Sequence, residues 1–368
     1  MEKINQRKDH PLKNFVITLC IAFSGALLFS FIKTPIPWLL GSMTAVLIGS
    51  RFGKIHLFWP KFIREIGLII VGYSIGLSFT RGAVLQILVK LPSIVVMTTS
   101  LILLCAGIAF VVSKLTGVDY PTVLIGSIPG GLSQMIIFAE DMEGIDITTV
   151  TFLQVARVIM IIFIVPFLAF SPFFNNGQAI SANNVITHSM QSADPLFPNI
   201  ILFASICIAF AIIGKKLRSP APFLVGPILG TAIISLSGLH GSALPTSVLD
   251  LSQFMIGGYI GLLLKPEKLQ HKAKIISLAL LSGIVMIGCS VGLSMILIHL
   301  DPVTPSTSLL SLAPGGMDQV GILAHEIHAD LAMVTGYQLF RLFFIYFVVP
   351  PVLRYLFTKV VRKTAKSA

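Results

Sequence analysis

The chain has 368 residues, 55% of them apolar and 11% charged, with a mean hydropathy of +0.92. Soluble domains carry about 25% charged residues, so this composition excludes a soluble helical core and points to an integral membrane protein. The net charge of +11 lies in short basic segments between apolar runs, which leaves no basic domain to hold nucleic acid.

In chain order, the basic tail MEKINQRKDHPLKN precedes an apolar run at 15–32. That run is long for a signal-peptide core and no convincing small-residue cleavage site follows it, so it reads as an uncleaved first span. Apolar stretches follow at 35–50, 62–79 and 91–113, then an interrupted segment at 119–143 and a long stretch at 146–170. After a linker, the series recurs at 198–214, 220–238, 248–264, 274–298, 305–328 and 330–354. The expected organisation is therefore a tail at 1–14, a first membrane repeat at 15–170, an outer linker at 171–197, a second repeat at 198–357 and a tail at 358–368. Pro35, Pro37 and Trp38, with Pro220 and Pro222, mark abrupt helix starts, since proline is well tolerated in a first turn.

The two series are copies. An offset of 185 residues carries Pro35 onto Pro220, Pro37 onto Pro222, Gly41 onto Gly226, Gly72 onto Gly257 and Gly76 onto Gly261. The same offset carries Pro129-Gly130-Gly131 onto Pro314-Gly315-Gly316 and Gln134 onto Gln319. After one deletion the offset is 184, and Asp146, Gln154, Arg157 and Pro166 meet Asp330, Gln338, Arg341 and Pro350. A register held over most of each half is internal duplication, the hallmark of transporter architecture.

The interrupted segment has a first limb, YPTVLIGSI, too short to span at about 1.5 Å per residue. PGG cannot continue a regular helix cheaply, so the segment is either a re-entrant hairpin or a broken helix that crosses. The positive-inside rule separates these forms. The linker 171–197 has no Lys or Arg and should lie outside, whereas the basic N-tail should lie inside, so each half crosses an odd number of times. Five spans plus a hairpin place 21 basic residues inside and only Lys33, Arg81 and Lys90 outside. The expected fold is an all-α polytopic membrane protein, an inverted repeat of two halves with about five transmembrane helices each, plus a re-entrant or broken segment at PGG. Both termini are expected on the cytoplasmic side of a bacterial inner membrane.

The two remaining basic residues, Arg157 and Arg341, lie inside spans. A charge at mid-depth costs at least about 2.5–3.5 kcal/mol on insertion scales. Gln154 and Gln338 lie one helical turn earlier on the same face. One reading is an anion site or gate lined by Arg and Gln; the other is that each Arg ties the carbonyl ends of a hairpin limb to its neighbouring span. The limb after each PGG begins at the turn, so free N–H groups point to mid-membrane and suit an anionic group. The alternative use of these glycines is close helix packing. The candidate binding set is Gly130, Gly131, Ser133, Gln134, Gln154 and Arg157 with Gly315, Gly316, Asp318, Gln319, Gln338 and Arg341. Asp318, the one acid close to the expected midplane, can exchange a proton, coordinate Na⁺ or pair with an arginine. HEIHAD at His325–Asp330 lacks zincin spacing, and Cys20, Cys105, Cys207 and Cys289 stand isolated. No metal, catalytic residue or cofactor is expected.

With PIPWLLGSM, PAPFLVGPILGTA, IPGGLSQM and APGGMDQVGILAHEIHADLAMVTGYQLFRLFFIYFVVPPVLR in view, the chain resembles the AbrB membrane-protein family over about 15–357. That family has a duplicated membrane domain, once carried an ammonia monooxygenase label, and bears a name attached to regulation of gene expression. It is distinct from the small soluble DNA-binding regulator of the same name. The resemblance brings no agreed binding residues with it, and no clustered histidines here suit a copper oxygenase.

The leading expectation is secondary transport of a small, anionic solute coupled to H⁺ or Na⁺. The alternative is a membrane-embedded regulator or sensor with an indirect effect on gene expression. An enzyme is not expected. The expected partners are the solute and the lipid bilayer, with a homodimer left open and no nucleic acid.

Overall fold

The computed structural model of the chain describes residues 11–51, 57–142, 144–175, 199–239, 241–263 and 272–355. The expected tails and linker fall largely or wholly outside these residues, as do the side chains of Ser133 and Gln134.

The described residues are helical, without strands. The first repeat holds α1 (Pro11–Phe31), α2 (Pro37–Gly49), α3 (Lys61–Leu77), α4 (Arg81–Val89), α5 (Leu91–Thr116), α6 (Tyr120–Ser127), α7 (Leu132–Glu140) and α8 (Ile147–Ala169). A short α9 (Pro172–Asn175) follows. The second repeat holds α10 (Asn199–Lys216), α11 (Pro222–Leu236), α12 (Thr246–Gly261), α13 (Lys272–Leu300), α14 (Pro305–Leu312), α15 (Met317–Glu326) and α16 (Leu331–Phe347).

Among the described residues, five helical segments are long and apolar enough to cross a membrane: Leu12–Phe31, Leu91–Thr116, Ile147–Ala169, Ile276–Leu300 and Leu331–Tyr355. α3 and α4 together would make a sixth, but they are bent by 85°. α2 has 13 residues and α11 has 15, which at about 1.5 Å per residue leaves each well short of a ~30 Å hydrocarbon core. The stretches at 35–50 and 220–238 are thus shorter as helices than spans of that thickness require. Large apolar side chains stand exposed along α1, α5 and α13, including Phe31, Leu103, Phe110 and Ile284. Faces of this kind belong against lipid.

α1 and α2 join through a turn that recurs between α10 and α11. Lys33 and Ile36 are left-handed, at φ 56° and 42°, and so are their equivalents Arg218 and Ala221, at 53° and 45°. Thr34 N–H donates to Phe29 O (3.2 Å) and Ser219 N–H to Gly214 O (2.9 Å), closing each first helix by a six-residue cap. The next helix starts with Pro37 or Pro222 in its first turn, where the missing N–H removes no bond.

The chain forms two compact units, Met1–Ile70 with Pro245–Lys265, and Val71–Leu244 with Pro266–Ala368. In the first, α1 and α2 meet at Gly25 and Gly41, and α12 lies on α2. A Cβ on Gly257 would stand 2.6 Å from Leu39 O. The core there is Ala22, Ala26, Val46, Trp59 and Phe254, and Trp59 Nε1–H donates to Met255 O (3.1 Å). The second unit repeats this arrangement with other elements. α11 lies on α10 through Gly226, and the end of α3 lies on α11, where a Cβ on Gly72 would stand 2.8 Å from Leu224 O. The third helix of each repeat thus packs on the second helix of the other.

In the same second unit, α5 and α13 run side by side in opposite directions. Cys105 and Met286 touch sulfur to sulfur (3.7 Å), whereas Ile94, Met97 and Leu101 share a cluster with Leu293 and Leu297.

Each interrupted segment turns back. Asp146 N–H donates to Thr122 Oγ1 (3.4 Å), so the start of α6 lies beside the start of α8. Gln154 and Arg157 of α8 reach the far end of α6, at Ile125, Ser127 and Ile128. α6 therefore runs alongside the first half of α8, and α7 must return from the PGG turn to Asp146. The second repeat does the same: Asp330 N–H donates to Thr307 Oγ1 (3.0 Å), and Gln338 and Arg341 of α16 reach the end of α14. The two ends of each interrupted segment lie at one level, which is a hairpin rather than a through-going helix.

Candidate functional site

A helix limb that stops at Pro-Gly-Gly leaves its last carbonyls without intrahelical donors. In an apolar interior such groups must find partners. The first repeat supplies them from α8, whose apolar sequence is broken by Gln154 and Arg157 one turn apart. Gln154 Nε2 donates to Ile125 O (2.8 Å) and Ile128 O (3.1 Å). Arg157 Nη1 donates to Ser127 O (3.2 Å) and Ile128 O (2.7 Å), and Nη2 donates to Gln154 Oε1 (2.7 Å). The second repeat builds the same lattice. Gln338 Nε2 donates to Leu310 O, Ser311 O and Ala313 O (2.9, 3.4 and 3.2 Å). Arg341 Nη1 donates to Ala313 O (2.8 Å), and Nη2 to Gly315 O (3.0 Å) and to Gln338 Oε1.

The structural reading of the two arginines is therefore what the geometry displays: each ties hairpin carbonyls to the neighbouring long helix. A charge remains after the tie. Arg157 and Arg341 are 5% and 4% exposed and close enough for their charges to interact. Among the described residues the one ion pair is Arg354–Asp141, at the surface. Among those residues both guanidinium groups have neutral hydrogen-bond partners only.

The PGG turns meet the opposite long helix. A Cβ on Gly130 would stand 3.0 Å from Ile345 Cγ2 of α16, and one on Gly315 would stand 2.9 Å from Ile161 Cγ2 of α8. Ile161 and Ile345 are equivalent residues, four positions beyond each arginine. Gly130, Gly315, Arg157 and Arg341 are brought together in this way. Gly316 caps α15, and a Cβ there would stand 2.5 Å from Asp318 Oδ1. The absence of that atom lets Asp318 lie in the first turn, where the helix dipole favours a carboxylate. Asp318 and Gln319 are both buried. Gly131 lies just before α7, half-buried. Farther along, His325, Glu326 and His328 are exposed at the end of α15, and Asp330 caps α16 by accepting from Met333 N–H (2.9 Å).

Two features escape sequence reasoning. Thr122 and Thr307 fasten the hairpin ends, although their shared offset of 185 was there to be read. Ser127, at the end of α6, lines a cavity of about 10 Å³, roughly enough for one water molecule. Cys105 and Ile108 of α5, Gly126 of α6, Leu153 and Arg157 of α8, and Ser282, Gly283 and Met286 of α13 complete its wall.

A helical chain with five membrane-length apolar segments, two polar-laced hairpins and buried arginines defines a polytopic membrane-like protein. Its family follows from comparison. Residues 38–357 match the family model described as "Transition state regulatory protein AbrB", and the chain belongs to that family. It is 26% identical over 337 residues to "Putative regulator AbrB" of Escherichia coli (strain K12), covering 92% of this chain and 94% of that protein. It is 24% identical over 370 residues to "Uncharacterized protein YhjN" of Bacillus subtilis (strain 168), covering 95% of each.

Proposed function

We propose that this chain is a secondary transporter of a small anionic solute. The observation that carries the reading is the pair of interacting buried guanidinium groups without a carboxylate partner. Two uncompensated cations in an apolar interior are costly, and a bound anion removes that cost. The helix start after PGG adds positive potential at the same level. Asp318, buried in that helix start, is the group through which H⁺ or Na⁺ would couple.

The reading also takes the two repeats as inverted, each with about five membrane helices, the short α2 and α11 among them, and one re-entrant hairpin at PGG. The opposite directions of the equivalent helices α5 and α13 support this. So does the reciprocal approach of each PGG turn to the other repeat's long helix. Two inverted halves that exchange roles give alternating access. A second reading, a membrane-embedded regulator with an indirect effect on gene expression, is favoured by the name of the Escherichia coli relative. A transported metabolite would unite the two.

The test is thermal unfolding of the purified chain against sodium salts of halides, monocarboxylates, dicarboxylates, phosphate and sulfate, followed by uptake of the stabilising anion into proteoliposomes. Saturable stabilisation by an anion and its uptake are expected, with Asp318→Asn changing the pH or Na⁺ dependence of uptake. Stabilisation by organic cations alone would overturn the anion reading.

A further inference from the structure

The two repeats keep their polar lattice but differ beside it. In the first, the last residue of α6 is Ser127; the equivalent position in α14 is the apolar Leu312. Ser127 is 7% exposed and its Oγ has no hydrogen-bond partner among the described residues; Arg157 is 5% exposed and its Nε–H is likewise unpartnered there. Both line the same small cavity between α5, α6, α8 and α13. A buried guanidinium N–H and a buried hydroxyl left without partners are each unfavourable, the charged group more so. Two residues that carry such unserved donors line one small space, and an acceptor placed between them would serve both.

The matching place in the second repeat is bridged by a hydrogen bond. Cys105, in the cavity wall, corresponds to Ser290. Ser290 Oγ donates to Leu312 O (2.8 Å), drawing α13 onto the end of α14. Ser308 and Ser294 bond beside it, Ser308 Oγ donating to Ser294 O (2.8 Å). In the first repeat a thiol stands where that serine would be, and Cys105 turns its Sγ to Met286 instead.

We propose that the Ser127–Arg157 cavity is the anion subsite of this protein, and that it takes one oxygen of a small monocarboxylate. The inference rests on the anion-transport reading and deepens it. Arg157 Nε–H and Ser127 O–H are the two donors, one charged and one neutral. They match one carboxylate oxygen in a space the size of one water. A doubly charged tetrahedral oxyanion, with four oxygens to satisfy, finds too few donors there. Arg341, beside Leu312, is a positioning residue that holds the second hairpin.

The experiment uses the full chain purified in detergent. Unfolding temperature is measured against sodium formate and sodium acetate at constant ionic strength, with sodium sulfate and sodium phosphate in parallel. Wild type is expected to show saturable stabilisation by formate or acetate. Ser127→Ala should raise the half-saturating concentration about tenfold, the loss of one hydrogen bond to a charged group. Ser290→Ala, in the second repeat, should leave it unchanged. Arg157→Gln should abolish saturation; if that variant does not fold, the Ser127→Ala and Ser290→Ala pair decides. Equal responses of wild type and Ser127→Ala, or an equal loss in Ser290→Ala, would overturn the subsite while the anion reading stands. Saturation by sulfate or phosphate alone would overturn the carboxylate assignment only. No saturable response to any anion would overturn both this subsite and the anion reading.

Discussion

Gln338 shows how much one side chain can hold. Its amide donates to three carbonyls at the end of α14, and its oxygen accepts from Arg341. Gln338→Leu keeps the volume but removes the amide donor from Leu310 O and Ser311 O, leaves Ala313 O to Arg341 alone, and takes the acceptor from one guanidinium N–H. It should destabilise the protein by about 1–3 kcal/mol, seen as a lower unfolding temperature in detergent, with Gln338→Glu restoring part of the loss. An unchanged unfolding temperature in Gln338→Leu would mean that water or another donor already serves the hairpin. The Arg–Gln pairs were legible in the sequence because charge and amide groups are conspicuous in an apolar run and recur at one spacing. Ser127 was not legible. A serine at the end of a short helical limb is ordinary, and what distinguishes this one is a missing partner, which only the packed structure reveals.

At the level of helices, the glycines divide into two sets with opposite expected behaviour. Gly72 and Gly257 lie where one helix crosses another at backbone contact, and a Cβ would stand 2.8 Å from Leu224 O and 2.6 Å from Leu39 O. Backbone cannot give way cheaply, so Gly72→Ala and Gly257→Ala should each lower the yield of folded protein sharply. Gly107 of α5 and Gly288 of α13 have nothing within 4 Å of an added Cβ. There alanine should stabilise by up to about 1 kcal/mol through helix propensity. Size-exclusion profiles and unfolding temperatures of the four variants check both signs; equal behaviour would contradict the packing described. The repeat offset made the glycines visible. It could not tell which helix each one meets, because an offset shows equivalence and not partnership. α4 was missed for a different reason. Arg81 and Lys90 bracket it, and Thr80 accepts from Ala83 N–H (3.2 Å) to cap it, so charged ends and a capping threonine read as a loop.

For the whole molecule, the direction of the two halves is the property to test. In a variant with Cys20, Cys207 and Cys289 replaced by serine, Met286→Cys should form a disulfide with Cys105 on mild oxidation. A protease site placed in 176–198 would then cut the chain without separating the halves on a non-reducing gel. Failure to crosslink would remove the opposed pairing of α5 and α13. Independently, single cysteines at Ile180 and Leu244 should label from outside, and those at Lys54, Lys216 and Lys268 from the cytoplasm. Labelling of 180 and 216 from the same side would refute inversion. The exchange of third helices has a further implication for ancestry. A half-length chain carrying one repeat has a second helix and a third helix that are not each other's partners: Gly72 of α3 meets α11, and Gly257 of α12 meets α2. Such a chain could complete its packing only by borrowing from another copy of itself, so the precursor of this protein would have been an interlocked dimer before its gene doubled. Expressed as two separate polypeptides split within the linker, the halves should still find one another, and neither should persist alone.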